Sequence, residues 1–255
     1  MPLKGPFGKQ MVAKELGVWY GFGKATSNAG YYNREFSFRR YLFLENGGTR
    51  GGQSFVQSKG YHDAQSFQQQ IALLVTLAKA TNRILILPQM LGDYHAQPLW
   101  IYLDLKSIEK LGIVYRETNF ASNKKSWYSH TTPFASVTQM AIVESSNEVQ
   151  LLTTAEGNVT TTALSDRIPL SSFTTNDPLS AFIAVATAHP SVKESEALFV
   201  NLDHFNNDGR RNSAEVKKIS DKLAWCEWGI PGKYNDKSAT HLSTTDHCYG
   251  KGVKA

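Results

Sequence analysis

The chain has 255 residues, of which 41% are hydrophobic and 19% are charged, and its formal net charge is +5 at pH 7. This balance is typical of a globular protein with one large domain or two small ones. The sequence has no long Lys/Arg run and no apolar run of about 20 residues, so neither nucleic-acid binding nor a membrane span is expected. The mild positive charge suits an anionic ligand, and it equally suits an ordinary surface.

The first 60 residues form a segment rich in aromatic residues and glycine. Its start lacks the apolar stretch and cleavage site of a signal peptide, and the chain shows no targeting signal. Residues 36–44 predict a short strand, and four glycines between residues 47 and 52 mark a loop after it. The aromatic density indicates a folded or docked segment rather than a disordered tail.

A long helix followed by a buried strand is the clearest pattern in the chain. Between residues 63 and 80, apolar residues recur at spacings of three and four, and further leucines widen this face. This predicts a helix buried on two sides, with Asp63 or Ser66 suited to cap its start. The apolar run at 84–88 ends in Pro88 and predicts a strand that is covered on both faces.

A second helix and strand follow at once. Residues 103–112 predict a short helix that ends at Gly112, and residues 113–120 predict a strand. Alternating helices and strands at such short spacings indicate α/β layers. We therefore expect 84–88 and 113–117 to be neighbouring parallel strands joined by a right-handed crossover, with the long helix packed on their sheet.

The second half of the chain differs from the first in amino-acid composition. Residues 126–175 are rich in Ser and Thr and are predicted to be an irregular insertion, with possible strands at 137–145 and 148–154. Residues 197–205 predict a strand that turns polar at its end. Residues 212–228 predict a helix.

The predicted fold class is thus α/β, with a mainly parallel, Rossmann-like sheet flanked by helices. The predicted organisation is an N-terminal segment, residues 1–60, followed by an α/β domain, residues 61–255, that contains the insertion.

Polar residues that follow predicted parallel strands are the candidate site, because ligands of open α/β sheets bind at the carboxyl ends of the strands. Asp93 and His95 follow the first strand, and the His95 imidazole is suited to act as a base on a hydroxyl. Asp203, followed by His204, ends the strand at 197–205. Gln69 near the start of the long helix can hydrogen-bond either a ligand or the backbone. For the residues after each strand, the alternative is an ordinary solvated loop.

Arg116 and Glu117 end the strand at 113–117. Arg116 is suited to bidentate contact with phosphate, and Glu117 to contact with a sugar hydroxyl. Adjacent residues of a strand point to opposite faces, so Glu117 is not the natural partner of Arg116. We expect Arg116 either to pair with Asp93 or Asp104, or to face a ligand phosphate. An internal ion pair that only fixes the strand end is the alternative.

No metal site is predicted. Cys226, His241, His247 and Cys248 fit no zinc spacing, and the chain contains no Asp-x-Asp sequence. In a luminal protein a disulfide between the two cysteines is the alternative, and it would close a loop of about 22 residues and contribute about 3 kcal/mol in the chain-entropy model. The glycosylation sequence at Asn158 matters only in such a compartment. Hydrolase, P-loop and dinucleotide-binding motifs are also absent from the sequence.

The order of motifs in residues 9–120 resembles the C-terminal part of certain plant, algal and fungal nucleotide-diphospho-sugar transferases, including arabinosyltransferases, and more distantly O-fucosyltransferase-like proteins. The resemblance lies in the corner NRILILP at 82–88 after a long helix, then Leu103-Asp104-Leu105, then RETNF at 116–120. It implies a glycosyltransferase of the Golgi lumen that uses a UDP- or GDP-sugar and a glycan or glycoprotein acceptor, with no other cofactor evident.

The resemblance also implies a difference from those enzymes. Their catalytic half lies upstream and carries an Asp-x-Asp that binds a divalent metal. Because this chain lacks that sequence, it is expected to be a fragment, or to work with an upstream catalytic domain. The alternative function is a non-catalytic glycan-binding or scaffolding domain of a larger enzyme.

Overall fold

The computed structural model describes ten stretches of the chain, which are 40–45, 55–57, 64–91, 96–99, 103–121, 134–143, 147–155, 164–173, 177–206 and 214–225. The predicted helix cap at Asp63, the glycosylation sequence at Asn158 and the two cysteines lie outside these residues.

The strands form two sheets. Seven strands make the main sheet, and in chain order they are β1 Tyr41–Glu45, β3 Ile84–Ile86, β6 Tyr115–Arg116, β7 Ser136–Val143, β8 Glu148–Ala155, β9 Leu164–Pro169 and β10 Ala197–Asn201. A smaller sheet consists of β2 Phe55–Gln57, β4 Gln89–Leu91 and β5 Ala96–Pro98. The fold is therefore α/β, with a mixed seven-stranded sheet.

The helices lie mostly between the strands of the main sheet. The α-helices are α1 Ala64–Thr81, α2 Leu105–Lys110, α3 Pro178–Ala188, α4 Pro190–Glu194 and α5 Ala214–Ser220. Short 3-10 helices span Leu170–Ser172 and Asp203–Asn206. None of the helices in the described stretches combines the length and apolar character needed to cross a membrane.

The strands of the main sheet follow the order β6-β3-β1-β10-β7-β8-β9. The first five run parallel, and β8 and β9 continue the sheet as antiparallel strands. Leu85 pairs with Tyr115 and Ile86 with Arg116, which confirms that these two segments are parallel neighbours. β6 is only two residues long, and so is shorter than predicted.

The α-helices named above contribute apolar residues to a core on one face of the main sheet, which we call the helix side. Their apolar residues share one core with Leu42, Leu85 and Leu198 of the sheet. Residues 70–78 of α1 are all buried, because α1 lies between the sheet and the helices α3 and α5. This confirms the prediction of a helix buried on two sides.

The opposite face carries a smaller cluster, and we call it the aromatic side. The ring of Tyr41 lies 5.1 Å from that of Phe120, and the ring of Phe43 lies 5.3 Å from that of Phe134. Phe120 and Phe134 belong to the described ends of the connection between β6 and β7, and both lie in this cluster. The connections through α1 and α2 instead cross on the helix side.

The amino edge of the sheet, where the parallel strands begin, is where the helices end. α1 ends at Thr81, Asn82 adopts a left-handed φ of 50°, and β3 begins two residues later. α2 ends in the same way, with Gly112 at a φ of 77°, which confirms the predicted stop. Helix ends leave carbonyl groups without intrahelical donors, and such left-handed residues turn the chain sharply towards the next strand.

Arg83 joins the elements of the amino edge. It is only 4% exposed, and its guanidinium donates hydrogen bonds to the carbonyl oxygens of Tyr41 at 3.2 Å and Ser195 at 3.1 Å. It also donates to the carbonyl oxygen of Val192 in α4. Burial, and then the charge of Arg40, lower the pKa of Arg83 to about 10, so the group stays charged at neutral pH.

The prediction of an irregular insertion at about 126–175 is wrong for the described residues. β7, β8 and β9 form a regular antiparallel meander there, and β7 also pairs with β10 in the parallel part of the sheet. Val149 and Leu151 alternate with polar residues and are buried in the core on the helix side. Among the Ser and Thr residues of these strands, Thr154 and Ser165 are exposed, whereas Thr138 is buried and its hydroxyl lies 3.2 Å from that of Thr153.

Candidate functional site

The carboxyl edge of the main sheet, where the parallel strands end, brings polar side chains together. Arg116 ends β6, Glu45 ends β1 and Asn201 ends β10. Glu45 and Asn201 are direct neighbours across the β1–β10 pair. The carboxyl ends of parallel strands form the usual ligand-binding crevice of open α/β sheets, so this edge is the candidate site.

Arg116 and Glu45 lie on the same side of the sheet. Arg116 pairs with Ile86, which belongs to the cluster on the aromatic side, and Glu45 follows Phe43 by two residues. Because side chains alternate along a strand, both Arg116 and Glu45 point to the aromatic side. Only β3 separates their strands, and Glu45 lies two residues beyond the level of Arg116, so they are about 12 Å apart.

Glu45 was not among the predicted site residues. Its side chain is half-buried, and burial raises the pKa of its carboxyl group above the ordinary value of 4.5. Within the described stretches this carboxylate has no hydrogen-bond or ion-pair partner. The sequence could have identified Glu45 as a candidate site residue, because it directly follows the apolar run at 41–44, just as Arg116 follows 113–115.

The surroundings of Arg116 are partly defined. It is half-buried, and its Nη1 donates a hydrogen bond to the carbonyl oxygen of Tyr115 at 2.9 Å. Asp104 is buried and caps α2 by accepting a hydrogen bond from the Lys106 amide at 3.0 Å. The expected pairing of Arg116 with Asp104 or Asp93 stays a prediction.

Tyr115 contributes a neutral donor beside Arg116. Burial raises the pKa of its hydroxyl well above the ordinary range, and the neighbouring carboxylate of Glu109 raises it further. The protonated hydroxyl donates to Glu109 Oε1 at 3.1 Å. The contact ties the start of β6 to α2, so it holds the strand that presents Arg116.

Glu117 occupies a different environment from Arg116. It is 1% exposed and follows β6, which ends at Arg116. That Glu117 and Arg116 point to opposite faces stays a prediction. In this structure Glu117 is therefore enclosed, whereas Glu45 shares a side with Arg116.

The other predicted site residues are spread along the same edge. Gln69 is half-buried in the second turn of α1, whose start lies at the carboxyl edge. Asp203 begins the 3-10 helix after β10, and its side chain lies outside the described parts. His204 is 8% exposed, and its ring meets that of Phe205 edge-on at 5.4 Å. Asp93 and His95 lie outside the described residues.

No group of three or more His, Cys, Asp or Glu side chains in the described stretches is placed to hold a metal ion. Comparisons with models of known families, with curated proteins and with solved structures found no match. The carboxyl edge, with Arg116 and Glu45 on one side of it, is therefore the basis for a functional assignment.

Proposed function

We propose that this chain binds a nucleotide sugar at the carboxyl edge of a Rossmann-like, mainly parallel sheet and supports transfer of the sugar to a hydroxyl of a glycan or glycoprotein. One observation carries the proposal. Arg116 and the half-buried Glu45 face the same side with one strand between them. A cationic group for phosphate and a carboxylate for a hydroxyl are the two parts that glycosyl transfer requires.

Arg116 is the proposed contact for the diphosphate of a UDP- or GDP-sugar. A planar guanidinium can donate two parallel hydrogen bonds to phosphate oxygens, and its charge stabilises the diphosphate as it leaves. The side chains that this route uses belong to the sheet itself, and it needs no cofactor beyond the nucleotide-sugar donor.

Glu45 is the proposed base. The hydroxyl oxygen of the acceptor attacks the anomeric carbon, and the bond from that carbon to the phosphate oxygen breaks. The electron pair of this bond leaves with the nucleoside diphosphate, and the hydroxyl proton passes to the carboxylate of Glu45. A carboxylate whose pKa is raised by burial is a stronger base than an exposed one, which suits it to this step.

His95 and Glu117, the residues first proposed as catalytic, stay candidates. Glu45 is better placed than Glu117, because Glu45 is half-buried and Glu117 is only 1% exposed. The resemblance of residues 9–120 to nucleotide-sugar transferases supports the proposal and a location in the Golgi lumen. The same resemblance leaves the alternative of a non-catalytic glycan-binding or scaffolding domain that serves an upstream catalytic domain.

Calorimetry with UDP, GDP and their sugars tests the donor site. We expect Arg116→Ala to weaken nucleotide binding at least tenfold, because a charge-assisted contact to phosphate is lost, and to leave the melting temperature unchanged. Arg40→Ala is the matched control, because Arg40 is exposed just before β1 at the opposite edge of the sheet. Unchanged nucleotide binding by Arg116→Ala, or no nucleotide binding by the parent chain, would remove the proposal.

A further inference from the structure

A line of side chains crosses the aromatic side of the main sheet at the level where β1 and β10 end. Glu45 is the neighbour of Asn201. Ala141 is the neighbour of Gln150, which in turn is the neighbour of Arg167. Continuing the β10–β7 register by one residue places Asn201 beside Ala141. These five residues, which we call the polar row, span about 19 Å at about 4.8 Å per strand.

The polar row lies on the accessible face of its strands. Ala141 and Gln150 are half-buried, whereas Met140 and Val149, the residues that precede them, are at most 1% exposed. The Arg167 side chain at the far end is 61% exposed. This alternation shows that one face of β7 and β8 packs on the core while the row stands on the other face.

Two side chains of the row, Glu45 and Gln150, have hydrogen-bonding capacity to spare. In the described part of the chain, neither the Glu45 carboxylate nor the Gln150 amide has a hydrogen-bond partner. The Gln139 amide also has no hydrogen-bond partner among the described residues, and it lies on the same face of β7, two residues before Ala141. A carboxamide both donates and accepts, and a carboxylate accepts, which is the set that sugar hydroxyls require.

The row is bordered by apolar surface, and the Glu45 carboxylate is its uncompensated charge among the described residues. Phe199 and Leu152 are half-buried in the line just below it, and Phe199 stacks on Phe43 at 4.5 Å. Arg167 lies 4.0 Å from the carboxylate of Glu148. Apolar surface beside a few polar groups is the usual composition of a ligand site, and the C–H faces of sugar rings can lie against it. These features favour a neutral ligand over an anionic one.

We infer that the polar row binds an extended neutral glycan, which lies across the strands β10, β7 and β8 with one end at Glu45. The identification of this glycan as the acceptor rests on the proposed function. In that function, the end of the glycan presents its hydroxyl to Glu45, while the donor lies on the far side of β3 against Arg116.

Binding of neutral hexasaccharides tests the inference. Hexasaccharides of glucose, xylose, mannose and arabinose are titrated into the full chain by calorimetry. We expect at least one of them to bind, and Gln150→Ala to weaken that binding about five- to tenfold, the equivalent of one lost hydrogen-bonding side chain. Thr154→Ala is the matched control, because Thr154 is exposed on the same face of β8, about 13 Å along the strand from Gln150.

A second variant tests the polar row even if Gln150 contributes little to hexasaccharide binding. Ala141→Arg places a long side chain in the middle of the row and should abolish hexasaccharide binding while the melting temperature changes little. The inference is overturned if no hexasaccharide binds to the folded parent chain, or if both variants bind like the parent. It is equally overturned if Ala141→Arg turns a dimer into a monomer in sedimentation, because the face is then an interface between copies of the chain.

The proposed nucleotide binding and the inferred glycan binding can be disproved independently of each other. Nucleotide binding is measured with UDP and GDP in the same experiment. Hexasaccharide binding without nucleotide binding would remove the proposed transfer and leave the polar row as the site of a glycan-binding domain. Nucleotide binding without hexasaccharide binding would disprove glycan binding at the polar row and leave the proposed donor site.

Discussion

The two edges of the main sheet treat a buried charge in opposite ways. At the amino edge, Arg83 is 4% exposed and is surrounded by carbonyl oxygens of β1 and of the turn from α4 to β10. At the carboxyl edge, Glu45 is half-buried and has no partner among the described residues. Burial of a charge without a partner lowers the stability of the fold. The hydrogen-bonded Arg83 therefore stabilises the amino edge, whereas the half-buried Glu45 destabilises the carboxyl edge.

This difference separates residues that support the fold from residues that are available to a ligand. A buried group such as Arg83, whose Nη1 and Nη2 both donate to the protein, is occupied within the fold. An uncompensated group such as Glu45 can gain partners only from outside the described residues. Functional residues are often held at such a cost to stability, which is why the same edge is the candidate site.

The largest effect is expected for Arg83→Ala. The substitution removes the donor of the hydrogen bonds to the carbonyl oxygens of Tyr41, Val192 and Ser195, and each buried group that is left unsatisfied costs about 1–3 kcal/mol. We expect the free energy of unfolding to fall by at least about 3 kcal/mol in urea denaturation. Arg167→Ala is the control, because its side chain is 61% exposed, and it should change stability by less than about 0.5 kcal/mol.

An intermediate effect is expected where α2 ends at the amino edge. Gly112 has a φ of 77°, and a Cβ atom at this position would meet nothing within 4 Å. Gly112→Ala should therefore cost about 1–2 kcal/mol through backbone strain alone. Asn82→Gly is the companion variant, since Asn82 also has a positive φ, and its stability should change by less than about 0.5 kcal/mol. A neutral Gly112→Ala would show that this turn adapts without strain.

The smallest effect is expected for Glu45→Gln, and it depends on pH. Burial raises the pKa of Glu45, so the folded chain holds this proton more tightly than the unfolded chain. The stability that this provides is present below the ordinary pKa of 4.5, and it is lost as the pH rises through the folded value. The amide has no charge to bury, so the melting temperature of Glu45→Gln relative to the parent should rise from about pH 4 to about pH 8.

A control variant isolates the role of the carboxyl edge in this pH dependence. Glu194 is exposed at the end of α4, near the amino edge. Glu194→Gln should follow the melting temperature of the parent across the same pH range. If Glu45→Gln instead became less stable than the parent as the pH rises, Glu45 would have a stabilising partner and the contrast between the two edges would fail.

The parts of the fold that were predicted correctly have local causes. α1 and β3 are encoded by apolar spacing in residues 67–87, and α2 ends where Gly112 can turn the chain. β7 and β8 lie where possible strands were predicted from the local sequence. α3 was missed although its signals are local too, since Asp177 caps it by accepting from the Leu179 amide at 3.1 Å and Pro178 occupies its first turn.

The parts that could not be predicted depend on contacts between distant residues. The position of β10 between β1 and β7 follows from pairing across the whole chain, and local patterns do not encode it. Arg83 has the same limitation, because its acceptors at Val192 and Ser195 are more than 100 residues away. Arg116 and Glu117 were singled out from strand position alone. Glu45 was overlooked because its strand was assigned to an N-terminal segment apart from the sheet.

The pairing of β1 with β10 also determines the order in which the sheet can be completed. Tyr41 pairs with Ala197, which lies 156 positions later (197 − 41). As the chain is synthesised, β1 can first pair only with β3, and its other edge stays open until β10 has emerged. Such long-range pairing slows folding and exposes a strand that consists largely of apolar residues. The centre of the sheet is thus the last part to close, and during synthesis β1 is the strand most exposed to pairing with another chain.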